Sequence, residues 1–158
     1  MVQPVRTIVT FKNSAFNTSV PKEYFINDCC FGDDVAKWLA EELRRKGHQA
    51  DETPGQEDFG WYFNFEVSGF NHCFVIGLQS GDTEAENTWI GWVERRRGFG
   101  TSLFGGRDRD IHPDACLTIH KALLASPETH SLRWHFKRDF DSDAWDPGTP
   151  TPSFTNQS

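Results

Sequence analysis

The chain has 158 residues, with 23 Asp and Glu against 16 Lys and Arg, a formal net charge of −7, and 14 Phe and 6 Trp within a 37% hydrophobic fraction. That length suits one domain burying roughly two thirds of its unfolded surface without crosslinks, and no apolar run approaches the roughly 20 residues needed to span a bilayer. The acid excess disfavours wholesale nucleic-acid binding, and an N-terminus without a signal-peptide core points to the cytoplasm.

In chain order, residues 5–11 alternate and are β-branched, which predicts a strand. Residues 13–32 contain Pro21 and Gly32, and Tyr24-Phe25-Ile26 reads either as a short strand or as a loop packed on the core. A helix is predicted from Asp33 or Asp34 to Lys46, because Val35, Trp38, Leu39 and Leu43 fall at helical spacing. Asp33 and Asp34 suit its N-terminal dipole, Arg44, Arg45 and Lys46 suit its C-terminal end, and Gly47 is a natural stop.

Three strands follow. Trp61, Phe63, Phe65 and Val67 alternate with polar neighbours, and Phe70, His72, Phe74, Ile76 and Leu78 do the same after the short hairpin link Ser68-Gly69. Residues 88–94 form the third, with Trp89 and Val93 on one face and Ile90 and Trp92 on the other. A Gly/Arg-rich segment at 95–110 leads to a second helix that begins near Pro113, has Cys116, Ile119 and Leu123 as its stripe, and stops at Ser126-Pro127. A last strand is expected at 131–138, with Leu132, Trp134 and Phe136 facing in. The expected domain is therefore 1–138, followed by an acidic, Pro-rich tail at 139–158 that reads as extended or disordered. The order β-α-βββ-α-β predicts an α+β fold, a mostly antiparallel sheet with two helices packed on one face.

Charge is strongly segregated along this plan. No Lys or Arg occurs from Gly47 to Glu94, where the overall frequency would place about five, while the same stretch holds nine acids. If the three central strands form a meander, loops 51–58 and 80–87 meet at one end of the sheet. Asp51, Glu52, Glu57, Asp58, Asp82, Glu84 and Glu86 would then crowd one pole, and Arg95, Arg96 and Arg97 would leave at the other. Such an acidic pole fits a solvated rim, an interface for a basic partner, or a divalent-cation site, though no EF-hand spacing supports the last. Glu57-Asp58-Phe59-Gly60-Trp61 reads as the start of a strand or as a recognition edge with two carboxylates beside an indole. Segment 95–110 either tucks Phe99, Leu103 and Phe104 onto the core or presents Arg95, Arg96, Arg97, Arg107 and Arg109 to an anion.

Catalytic groups do not assemble from the sequence. Cys116 and His120 share a helix face but make half a zinc site at best, and core packing explains Cys116 better. His72 and Cys73, adjacent in a strand, point to opposite faces. Four cysteines (Cys29, Cys30, Cys73 and Cys116) without a C-x-x-C motif fit reduced thiols.

The run Asp33-Asp34-Val35-Ala36-x-Trp38-Leu39-Ala40-x-x-Leu43, then Gly47, then Glu57-Asp58-x-Gly60-Trp61, resembles a recurrent group of small bacterial α+β proteins marked by E-D-x-G-W. The likeness covers about residues 30–95. It implies a bacterial origin and transfers no catalytic residue, because no activity is attached to that group.

The expectation is a non-enzymatic, cytoplasmic, protein-binding domain of the immunity or antitoxin kind. Its partner-binding residues would be Glu57, Asp58, Trp61, Asp82, Glu84 and Glu86, facing a protein with a basic surface. No cofactor, metal or membrane is implied, nucleic acid is disfavoured, and a homodimer is compatible with the sequence. The alternative is a small enzyme or anionic-ligand binder using Arg95, Arg96, Arg97, Arg107 and Arg109.

Overall fold

The computed structural model describes residues 5–20, 22–25, 31–57, 60–96, 111–141 and 147–152. Its elements are β1 (Ile8–Lys12), α1 (Asp33–Arg45), β2 (Gly55–Glu57), β3 (Gly60–Val67), β4 (Phe70–Gln79), β5 (Thr88–Arg95), α2 (Pro113–Leu123), β6 (His130–His135) and α3 (Lys137–Asp141). A single 3-10 turn, Glu84–Glu86, lies between β4 and β5. The six strands form one antiparallel sheet in the order β2-β3-β4-β5-β1-β6. This is an α+β fold, with one strand and one short helix beyond those expected.

The alternation that predicts the strands also decides which face is covered. Trp61, Phe63, Phe65, Val67, Phe74, Ile76, Trp89, Val93, Val9, Phe11 and Trp134 are buried on one side. Against them lies the α1 stripe of Val35, Ala36, Leu39, Ala40 and Leu43, joined by Ala115, Cys116, Ile119, Ala122 and Leu123 from α2. Helix α1 packs on β3 and β4, and α2 packs on β3 and on α1.

Helix ends follow local chemistry. His48 N–H bonds Leu43 O at 3.0 Å and Gly47 N–H bonds Arg44 O at 3.0 Å, the paired bonds of a Schellman stop, with Gly47 at φ 96°. Pro113 opens α2, where the His112 side chain caps the Asp114 N–H at 3.1 Å.

Of the two readings open for Tyr24-Phe25, the loop packed on the core is the one observed, with Phe25 buried against Trp61 at a centroid distance of 5.4 Å. Two expectations are corrected. The last strand ends at His135 instead of 138, and Lys137–Asp141 turns helical. Residues 147–152 are not extended away from the domain. Thr149 exchanges both backbone hydrogen bonds with Trp134, at 2.7 and 2.9 Å, and Pro152 is buried. Pairing to an open strand edge supplies the backbone bonds that the composition of this segment does not advertise. Ile26, Cys29, Cys30 and the segment 97–110 lie outside the described residues.

Candidate functional site

The meander expected from the sequence is present, since β3 pairs β4 and β4 pairs β5 in succession. Trp61 faces Ile76 and Gln79 faces Thr88, so the start of β3 and the β4–β5 loop occupy the same end of the sheet. Glu57 reaches that end because β2 runs antiparallel to β3 and sets Glu57 opposite Gly60. Asp82 and Glu86 are exposed there, and Glu86 Oε2 accepts the Asp82 N–H at 3.2 Å. Glu84 lies in the 3-10 turn between them. Asp58 falls outside the described residues.

Two features of the expected pole are corrected. Asp51 is not at the end of the sheet. Its Oδ2 accepts the backbone and side-chain N–H groups of Asn64, both at 2.9 Å, which pins it halfway along β3. Nor is the pole free of cations. Strand β1 lies beside β5 and ends there, and the Lys12 ammonium donates to Ala85 O at 2.9 Å and Asn87 O at 3.4 Å. The Lys/Arg-free stretch is contiguous in sequence, but a neighbouring strand breaks it in space.

A groove of about 500 Å³ opens at this end, lined by Tyr24, Asp33, Lys37, Glu52, Thr53, Pro54, Gln56 and Trp61. Four segments build it. Gly60 allows β3 to approach β4 closely, because a Cβ there would lie 2.4 Å from Ile76 O. The indole of Trp61, itself buried, is met edge-on by Tyr24 at 5.9 Å and 86°. Gln56 holds the Tyr24 carbonyl through its amide at 3.0 Å.

Asp33 forms the floor where α1 begins. The Tyr24 hydroxyl donates to Asp33 Oδ2, and this bond, with burial and the nearby carboxylates adding to it, pushes the Tyr24 phenol up to about 12. Asp33 Oδ1 is buried and has no hydrogen-bond donor among the described residues. Next to it, Asp34 is held by the Asn17 N–H at 2.8 Å and the Val35 N–H at 2.9 Å, while burial raises its carboxyl above the usual range. The site therefore presents carboxylate, aromatic and amide surface, with Lys37 as a cation on its rim. Trp61 is the expected site residue that lines it. Tyr24, Asp33, Lys37 and Gln56 were not expected there, and nothing in the sequence distinguishes Asp33 from an ordinary helix-start acid.

The arginines do not converge. Arg95 lies over the Phe70 ring, 4.1 Å from its centroid, while Arg96 donates to Asn64 Oδ1 at 3.0 Å on the other face of the sheet. Arg97, Arg107 and Arg109 lie outside the described residues.

The remaining nucleophile and metal candidates are locked in packing. Burial pushes the Cys73 thiol up to about 12 and the Cys116 thiol higher still, far from the low values of reactive cysteines. His120 Nδ1 accepts the Trp134 indole N–H at 3.1 Å, and burial lowers its pKa. Among the described residues no group of three or more His, Cys, Asp or Glu is arranged to hold a metal ion. No helix there is long and apolar enough to cross a membrane.

No protein-family model matches the chain, and no curated protein and no solved structure is significantly similar to it.

Proposed function

We propose that this chain is a non-enzymatic protein-binding domain, immunity-like or regulatory, whose acidic end engages a basic partner in the cytoplasm. The observation that carries the reading is the gathering of Glu57, Asp82 and Glu86 at the end of the sheet where the groove of Asp33, Glu52 and Trp61 opens. Like charges held together on neighbouring segments repel, and a partner of opposite sign relieves that repulsion and gains steering on approach. The buried free thiols Cys73 and Cys116 accord with a reducing compartment. Binding of an anionic ligand at Arg95, Arg96, Arg97, Arg107 and Arg109 has less support, because Arg95 and Arg96 leave β5 on opposite faces.

The test is affinity capture from host lysate with the wild-type protein and with E52K/E57K/D82K. Captured proteins of basic surface should weaken roughly tenfold or disappear with the variant, and should be released by salt. Recovery of the same partners by both proteins would refute the acidic end as the interface.

A further inference from the structure

We infer that the groove between Tyr24, Asp33 and Trp61 is an anchor pocket for an arginine side chain of the partner, with the guanidinium pairing to Asp33 Oδ1 and lying against the two rings. This rests on the reading of the acidic end as an interface and names the group that enters it. Asp33 is 8% exposed, its Oδ2 takes the Tyr24 hydroxyl, and its Oδ1 takes no donor among the described residues. A buried carboxylate oxygen without a donor is costly, and the positive end of α1 offsets only part of that cost. An incoming donor therefore gains more here than at a solvated acid.

The shape and the charge select the donor. A guanidinium is planar, carries five N–H donors, and stacks on aromatic faces. The Tyr24 and Trp61 rings, 5.9 Å apart and nearly perpendicular, offer it one face and one edge. Glu52 adds a second carboxylate to the lining, which repels an anionic ligand. Tyr24 is 57% exposed, so its side chain can adjust to an incoming ligand without opening the core. Lys37 stands one helical turn beyond Asp33 and also lines the groove. Its ammonium competes with the ligand, and its removal should improve binding.

The probe is N-acetyl-arginine amide, titrated at low salt into isotope-labelled protein while the Trp61 indole N–H and the Lys37 amide are followed by NMR. Saturable shifts at both are expected. D33N should weaken the probe by roughly fivefold, and K37A should strengthen it by about two- to threefold. If D33N fails to fold, the exposed K37A and K37E variants carry the test, with K37E the tighter of the two. Absence of a saturable shift, an unchanged affinity in folded D33N, a weaker K37A, or equal binding of the lysine analogue would each overturn the assignment. Partner capture that survives D33N but not E52K/E57K/D82K refutes the pocket and spares the interface. A probe that binds as expected while capture ignores the triple variant does the reverse.

Discussion

His72 sits with no exposed surface between β3, β4 and the start of α2, and both of its ring nitrogens are committed. Its Nε2 accepts the His112 backbone N–H at 3.2 Å, so the proton must reside on Nδ1, which donates to the Phe70 carbonyl at 3.1 Å. The neutral ring satisfies both bonds, whereas a second proton would break the first. Burial lowers its pKa to about 4, opposed in part by the hydrogen bond to the Phe70 carbonyl, while weaker effects of Arg95 and His112 act in the same direction as burial. Above pH 6.5 the ring is neutral in the folded and unfolded chain alike, and the shift costs nothing. As pH falls from 6.5 to about 4, the unfolded chain takes up a proton that the folded one refuses, and stability drops by at most about 3 kcal/mol. His120, lowered by burial, adds to the same trend. Urea midpoints measured from pH 7 to pH 4 should fall across that window, while the His72 ring protons stay silent by NMR until its lower end. Titration of His72 near its ordinary value would show that the buried pairing is wrong.

Among the elements, the β3–β4 hairpin makes the sharpest demand on sequence. Ser68 and Gly69 both have positive φ, 55° and 81°, the conformation of a two-residue type I′ turn whose twist matches the flanking strands. Glycine adopts it freely, while serine is strained there. Asn tolerates that conformation, so S68N should stabilise the protein by up to about 1 kcal/mol, raising Tm by roughly 3 °C. The exposed Ser68 hydroxyl bond to Asp114, at 3.1 Å, is lost in exchange and is worth little. An equal or lower Tm would mean that this bond outweighs the backbone strain. The hairpin and α1 were legible in the sequence because their signals are local: alternation, helical spacing, and glycine just past a basic helix end. Strand β2 was not, since Gly55-Gln56-Glu57 carries no alternation and owes its state to pairing with β3. The groove was hidden for a related reason. Tyr24, Asp33, Glu52 and Trp61 come from separate segments, and Asp33 was already accounted for as a dipole partner of α1.

Across the whole molecule, the sheet must manage two open edges, and it does so differently at each. At one edge β2 is only three residues long, too short to template another chain. At the other edge β6 runs for six residues, and Thr149 returns to bond its Trp134 on the outer side. Sequence alone could not place β1 between β5 and β6, because both pairings are distant along the chain, the one with β6 joining residues more than a hundred positions apart. It also could not show that the segment after 146 closes the edge this pairing leaves open. The consequence can be measured by ending the chain at Asp146. That deletion removes no charged side chain, so the electrostatics of the acidic end are kept. It does remove the two Trp134–Thr149 backbone bonds and the buried Pro152. Two hydrogen bonds at about 1 kcal/mol each give a loss on the order of 2 kcal/mol. The uncovered N–H and C=O of Trp134 would then be free to pair with a second copy, so self-association should rise with protein concentration in analytical ultracentrifugation. A truncated protein as stable and as monodisperse as the full chain would show that Thr149 merely rests on β6 and that the edge is protected by other means.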